Sequence, residues 1–108
     1  LIALSLLNLT QTPGQDFFSQ LSELRFLALG GEIQNLPESF YKLEYLNEFY
    51  IMPQTALERI EESLGNLFRL EKISVRYTKI NEIPRSIENL KVLEELDLEG
   101  NHISVIPD

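Results

Sequence analysis

The spacing of leucine and isoleucine constrains this chain more than any other feature. The last copy of the pattern places Leu90, Leu93, Leu96, Leu98, Asn101, Ile103, Ile106 and Pro107 in the order LxxLxxLxLxxNxIxxIP. The copy before it places Leu67, Leu70, Ile73, Val75, Thr78, Ile80, Ile83 and Pro84 at the same internal spacing, starting 23 positions earlier (67 against 90). A third copy starts at Leu43 and carries Leu46, Phe49, Ile51, Gln54 and Ala56, with one extra residue before Ile60. Another runs Leu21, Leu24, Leu27, Leu29, Ile33, Leu36, Pro37, with Gly30-Gly31 where one residue is missing. The first copy reads Leu1, Leu4, Leu7, Leu9, Thr12 and then degenerates through Pro13-Gly14. Self-similarity at such a period is the signature of a stacked array.

Each copy contains a pair of apolar residues at period 2: Leu27/Leu29, Phe49/Ile51, Ile73/Val75, Leu96/Leu98. That alternation marks a short strand with one buried face. Two residues cannot form a core alone, so each coil must bury them against the coils above and below. Strands stacked in this way pair in parallel, and the return half of each coil supplies Leu36/Phe40, Ile60/Leu64 and Ile83/Ile87 to the opposite wall. At about 1.5–3 kcal/mol per buried side chain, a few such residues per coil make the stack viable. Paired helices would need sustained i, i+3, i+4, i+7 stripes, which these copies lack.

The return segments differ among themselves. Thr55 followed by Leu57, Ile60 and Leu64 has a capping residue and helical spacing, which predicts a helix over residues 55–64. Pro37 and Pro84 sit where a first helical turn accepts proline, so Pro37–Lys42 and Pro84–Asn89 are expected as single turns. Asp16 is a candidate cap for a short helix from Phe17, with Leu24 better placed in the approach to the strand.

Composition excludes several classes of function. With 17 acidic against 9 basic residues and a net charge of −8, nucleic acid and anionic membranes are poor partners. No stretch approaches the roughly 18 consecutive apolar residues of a membrane span. The opening Leu1–Leu9 segment could pass for the apolar core of a signal peptide. No basic stretch precedes it and no cleavage pattern follows, and its leucines sit on the repeat, so it is read as part of the array. The absence of cysteine removes disulfides, thiolate catalysis and thiolate metal sites.

On these residues the chain resembles the leucine-rich repeat family. The form is the one of 23 residues with Ile-Pro or Leu-Pro after the strand-and-turn half, as in plant intracellular and some bacterial leucine-rich repeat proteins. The resemblance spans nearly the whole chain. It implies an α/β right-handed solenoid of about five coils, starting near residues 1, 21, 43, 67 and 90. A short-stranded parallel sheet would line the concave face, with short helices or turns on the convex face. It also implies a scaffold for protein–protein interaction; the composition is that of a soluble protein, and the compartment stays open between intracellular and secreted by a bacterium. The family's Asn after the strand is present only at Asn101; Thr12, Gln54 and Thr78 can supply part of its hydrogen bonding, and Glu32 or a gap replaces it in the remaining copy. Terminal repeats need polar outer faces. The chain opens on leucines and stops just after an Ile-Pro, so it is expected to be a fragment without its caps, with self-association through uncapped ends as the alternative role.

The strand positions between the leucines point outward and form the concave surface. In the sequence register, one column is Leu6, Phe26, Glu48, Lys72, Glu95; the next is Asn8, Ala28, Tyr50, Ser74, Asp97; the third is Thr10, Gly30, Met52, Arg76, Glu99, with Tyr77 beyond. Aromatics beside arginine are enriched in binding hot spots, because they bury area at low entropic cost. The expected contacts with a protein or peptide partner are therefore Phe26, Tyr50, Met52, Lys72, Arg76, Tyr77, Asp97 and Glu99. No catalytic residue, cofactor site or metal site is expected. Glu94, Glu95, Asp97 and Glu99 on a strand do not make the flexible oxygen cage calcium requires. His102 has no second ligand or thiol near it and is read as a turn residue. Glu61-Glu62 reads as a solvated helix face, and Gly30-Gly31 lacks the Lys and Ser/Thr of a phosphate loop. Without a nucleophile–base pair, an enzyme is not expected.

Overall fold

The computed structural model describes residues 2–53, 55–101 and 103 and contains one open sheet of five parallel strands. These are β1 (Ala3–Leu9), β2 (Phe26–Gly31), β3 (Glu48–Ile51), β4 (Lys72–Val75) and β5 (Glu95–Asp97). The strands lie in sequence order, each paired with the next. The register stacks Leu27 on Phe49, Phe49 on Ile73 and Ile73 on Leu96. This is the α/β solenoid that the period requires: the inward apolar residues of β2 to β5 meet their equivalents in the neighbouring coil.

The core runs along the stack and is densest in its middle. Leu27, Leu29, Phe49, Ile51, Ile73 and Val75 line the strand wall, and Leu36, Phe40, Leu57, Leu64 and Ile80 face them from the return segments, all buried. Aromatic rings fill the widest part. Phe40 lies 4.6 Å from Phe49 and 6.5 Å from Phe18, centroid to centroid. Phe18 is held there by its own N–H, which donates to Ser39 Oγ at 2.9 Å.

The convex side is made of 3₁₀ turns, at Glu38–Lys42, Glu62–Asn66 and Arg85–Asn89. Pro37 and Pro84 cap two of them, as the sequence predicts. The helix expected over residues 55–64 does not form. The backbone groups it would use are taken by adjacent coils: Glu58 N–H donates to Gln34 O, Leu57 O accepts from Lys79 N–H, and Glu61 N–H donates to Tyr41 Oη, all at 2.9 Å. Thr55, the expected cap, is buried and donates its hydroxyl to Met52 O at 2.8 Å. Nor does Asp16 start a helix; residues 14–24 are a chain of i, i+3 turns, with Leu24 buried at the strand approach.

Glu61-Glu62 is likewise more than a solvated face. Glu61 pairs with Arg59 at 3.1 Å, and the Glu62 carboxylate accepts from the Arg85 and Ser86 N–H groups of the next coil at 3.1 and 3.0 Å.

The first coil departs from the sequence register. β1 pairs Leu4 with Leu27 and Leu6 with Leu29, so Leu4 and Leu6 point to the core while Leu7 is exposed. Leu6 therefore leaves the concave column assigned to it, and Ala3 and Ser5 stand beside Phe26 and Ala28. The leucine string permits both frames; hydrogen bonds from Arg25 N–H and Phe26 N–H to Ile2 O select this one. A bulge follows, where Leu9 meets Gly31. Gly31 has φ +108°, and a side chain there would collide with the Leu9 backbone.

Candidate concave interaction face

Alternation along β2–β5 carries the expected contacts to the face opposite the core. Phe26 and Tyr50 lie diagonally across β2 and β3, with ring centroids 5.4 Å apart. Met52 follows β3 and lies over Gly30. These three, all half-buried, form the apolar end of the face.

Tyr50 is fixed by its hydroxyl, which donates to Glu48 Oε1 at 2.7 Å. That bond, aided by desolvation and by the charges of Glu48 and Glu95, pushes the phenol up to about 12, since ionisation would set a phenolate against a carboxylate.

The other end is ionic. Register places Lys72 between Glu48 and Glu95, and Ser74 beside Asp97. Arg76 Nη2 lies 2.8 Å from Glu99 Oε2, and Arg76 Nε lies 3.4 Å from Asp97 Oδ2. The Glu99 hydrogen bond is the main reason the guanidinium is raised above its ordinary value. Its Nε contact with Asp97 is a charge contact only, because that N–H completes no hydrogen bond. Arg76, Asp97 and Glu99, separate contacts on a linear reading, are thus one cluster. The face as a whole carries four carboxylates (Glu48, Glu95, Asp97, Glu99) against two cations (Lys72, Arg76).

Tyr77 sits at the margin, with its ring 5.6 Å from the Arg76 guanidinium. Its φ is +53°, and its ring lies over Gly100, itself at φ +78°, where a Cβ would enter the ring. The side chain is half an anchor of the local turn and half an exposed surface.

Asn101 organises the same end. Its Oδ1 accepts from Thr78 N–H (2.8 Å) and Thr78 Oγ1 (2.6 Å), and its Nδ2 donates to Leu98 O (3.0 Å) and to Val75 O. Thr12 does part of this at the other end, accepting from Gln34 N–H at 3.0 Å. Gln54 and His102 lie outside the described residues. Among the described residues, no group of three His, Cys, Asp or Glu is placed to hold a metal ion, and no helix is long and apolar enough to cross a membrane.

An open depression of about 640 Å³ on the convex side is lined by Tyr41, Lys42, Arg59 and Glu61. Its charges are already paired, Lys42 with Glu38 at 3.7 Å and Arg59 with Glu61 at 3.1 Å, so it offers no convergent set of groups. Sequence reasoning missed one surface feature altogether. Arg69 stacks between the rings of Tyr45 and Phe68, at turn positions that carry no periodic signal.

Comparison with known proteins agrees with this architecture. The Leucine Rich Repeat family model matches residues 92–108. A leucine-rich repeat protein of Leptospira interrogans superposes with a TM-score of 0.90 at 28% identity over 99% of this chain. The chain has the fold of leucine-rich repeat proteins. An internalin of Listeria monocytogenes shares the fold, with a TM-score of 0.61 at 17% identity over 97% of the chain. The chain spans 27% and 36% of the lengths of those two structures. Among curated proteins, no sequence matches it. Leucine-rich repeat chains are in general non-enzymatic scaffolds, and the family points to a protein-interaction module.

Proposed function

We propose that the concave face binds a protein or peptide partner. Phe26, Tyr50 and Met52 form its apolar anchor, and Lys72, Arg76, Tyr77, Asp97 and Glu99 set the partner's orientation. The observation that carries this reading is the Phe26–Tyr50 pair: two rings in contact at 5.4 Å, half-exposed on the strand face that the core does not use. Rings held by the sheet and by the Glu48 hydrogen bond lose little freedom on binding, which is how aromatic anchors gain affinity. The adjoining charges fix register and speed encounter more than they add affinity.

The test is capture of partners from the native source, followed by affinity measurement with the purified partner. Phe26→Ser/Tyr50→Ser should weaken binding by about 2 kcal/mol, roughly thirtyfold. The convex pair Glu58→Lys/Glu88→Lys, away from the hydrogen-bonded Glu62, should leave it unchanged. A partner equally well held by the concave variant would sink the proposal.

Self-association is the second reading. It is favoured by Ile2, Leu7 and Phe17, each of them an exposed apolar residue of the first coil. A mass that rises with concentration in sedimentation equilibrium would support it.

A further inference from the structure

We infer that the turns leading into β3, β4 and β5 form a second docking surface, for a protein segment that presents an apolar side chain flanked by lysine or arginine. The inference is independent of the concave site.

Each of these turns is closed by an i, i+3 hydrogen bond: Leu46 N–H to Leu43 O at 3.0 Å, Leu70 N–H to Leu67 O at 3.1 Å, and Leu93 N–H to Leu90 O at 3.2 Å. The flanking leucines enter the core, and the two central residues are left at a solvent-facing tip. Such tips ordinarily hold small polar residues, and the equivalent turn before β2 does so, with Ser22-Glu23 between Leu21 and Leu24. The next three tips instead carry Tyr45, Phe68-Arg69 and Val92.

Registers offset by 24 and 23 residues stack Tyr45, Arg69 and Val92 in one column, with Phe68 beside it. Tyr45 is 39% exposed, Phe68 51% and Val92 50%. None of them belongs to the core, so folding gives no reason for apolar side chains there. Clustered exposure of this kind marks an interaction site, where single exposed residues do not.

Arg69 organises the strip. Its guanidinium carbon lies 4.6 Å from the Tyr45 centroid and 4.7 Å from that of Phe68, and Nη1 donates to Glu44 O at 3.1 Å. The rings are thereby held in place, and the cation is turned inward onto them.

The rim sets the partner's charge. Glu44 borders the tips, and Glu71 and Glu94 follow one another in the next column, joined by the bond from Glu94 N–H to Glu71 O at 2.8 Å; Lys91, beside Val92, opposes them, and the three carboxylates outnumber it. An apolar strip beside these carboxylates, on a chain of net charge −8, is complementary to an apolar residue with basic neighbours. The same carboxylates repel an anionic lipid surface.

The probe is a fluorescein-labelled peptide with Leu-Phe between pairs of lysines, compared with its glutamate-flanked counterpart by anisotropy on the full chain. The lysine peptide should bind at least about tenfold tighter. Tyr45→Ser/Phe68→Ser should weaken it about tenfold, whereas Phe26→Ser/Tyr50→Ser should leave it unchanged. Should the turn double variant fail to fold by circular dichroism, Val92→Ser alone is expected to weaken binding measurably. Equal affinity for the two peptides, no binding of the lysine peptide, or loss only in the concave variant would overturn the inference. Phe68-dependent sedimentation with phosphatidylglycerol vesicles would overturn it in favour of a lipid surface.

Discussion

Two tyrosines show how one residue type is put to different uses. Tyr41 is buried, and its hydroxyl accepts the Glu61 N–H at 2.9 Å; burial is the main cause that pushes it up to about 12. Tyr50 reaches about 12 through its bond to Glu48. Both groups hold their protons more tightly folded than unfolded, where a tyrosine titrates near about 10. Their contribution is therefore complete below about pH 10 and is lost as pH rises through about 12. We expect the unfolding free energy to fall across that window, with Tyr41 supplying at most about 2–3 kcal/mol and the more exposed Tyr50 less. Tyr41→Phe should flatten the decline while costing about 1 kcal/mol near neutral pH, since the Glu61 N–H loses its acceptor. Urea titrations at several alkaline pH values check this; an unchanged slope in Tyr41→Phe would refute the assignment. None of this is legible in sequence, because Glu48 and Tyr50 at i, i+2 on a strand are a common pair whose bond depends on rotamers.

Among the elements, β2 to β5 and the two proline-led turns are legible in the sequence, whereas the return over residues 55–64 and the register of β1 are not. Period-2 leucines identify a strand whatever the neighbours do, so β2 to β5 fall where the pattern places them. Leu57, Ile60 and Leu64 fit a helix and an extended return equally well. The choice between them is made by Gln34 and Lys79, whose backbones occupy the groups a helix would need. β1 failed for a related reason: a leucine-dense string carries two registers, and only pairing with β2 separates them. At the Asn position, Asn101, Thr12 and Thr78 make the hydrogen bonds expected of them, while Gln54 lies outside the described residues. Because Asn101 closes four hydrogen bonds, three of them joining two coils, Asn101→Ala should cost about 3 kcal/mol, through the unsatisfied Thr78 N–H and Val75 O. Asn101→Asp keeps the acceptor and loses both donated bonds, so it should fall between. Thermal unfolding of the three proteins tests the order, and an alanine variant within about 0.5 kcal/mol of the parent would show that water replaces the side chain.

At the scale of the whole molecule, a stack held by nearest-neighbour contacts distributes stability by position. In β2, β3 and β4 the inward residues Leu27, Leu29, Phe49, Ile51, Ile73 and Val75 are all fully or almost fully buried. Those of β1 and β5 are only partly so; Leu96 is 40% exposed, although it occupies the same repeat position as Phe49 and Ile73. The sequence assigns the three residues one role, and their burial separates them. Phe49 also joins the ring column through Phe40, so its removal opens a cavity that no neighbour can fill. Phe49→Ala should therefore cost about 3–5 kcal/mol, against about 1 kcal/mol for Leu96→Ala, whose side chain already meets solvent. Amide hydrogen exchange of the parent chain should show the same gradient, with the slowest exchange in β3 and its flanking strands and faster exchange in β5. If β5 proved as protected as β3 and the two alanine variants lost equal stability, the chain would unfold as one cooperative unit. The nearest-neighbour account of its stability would then fail.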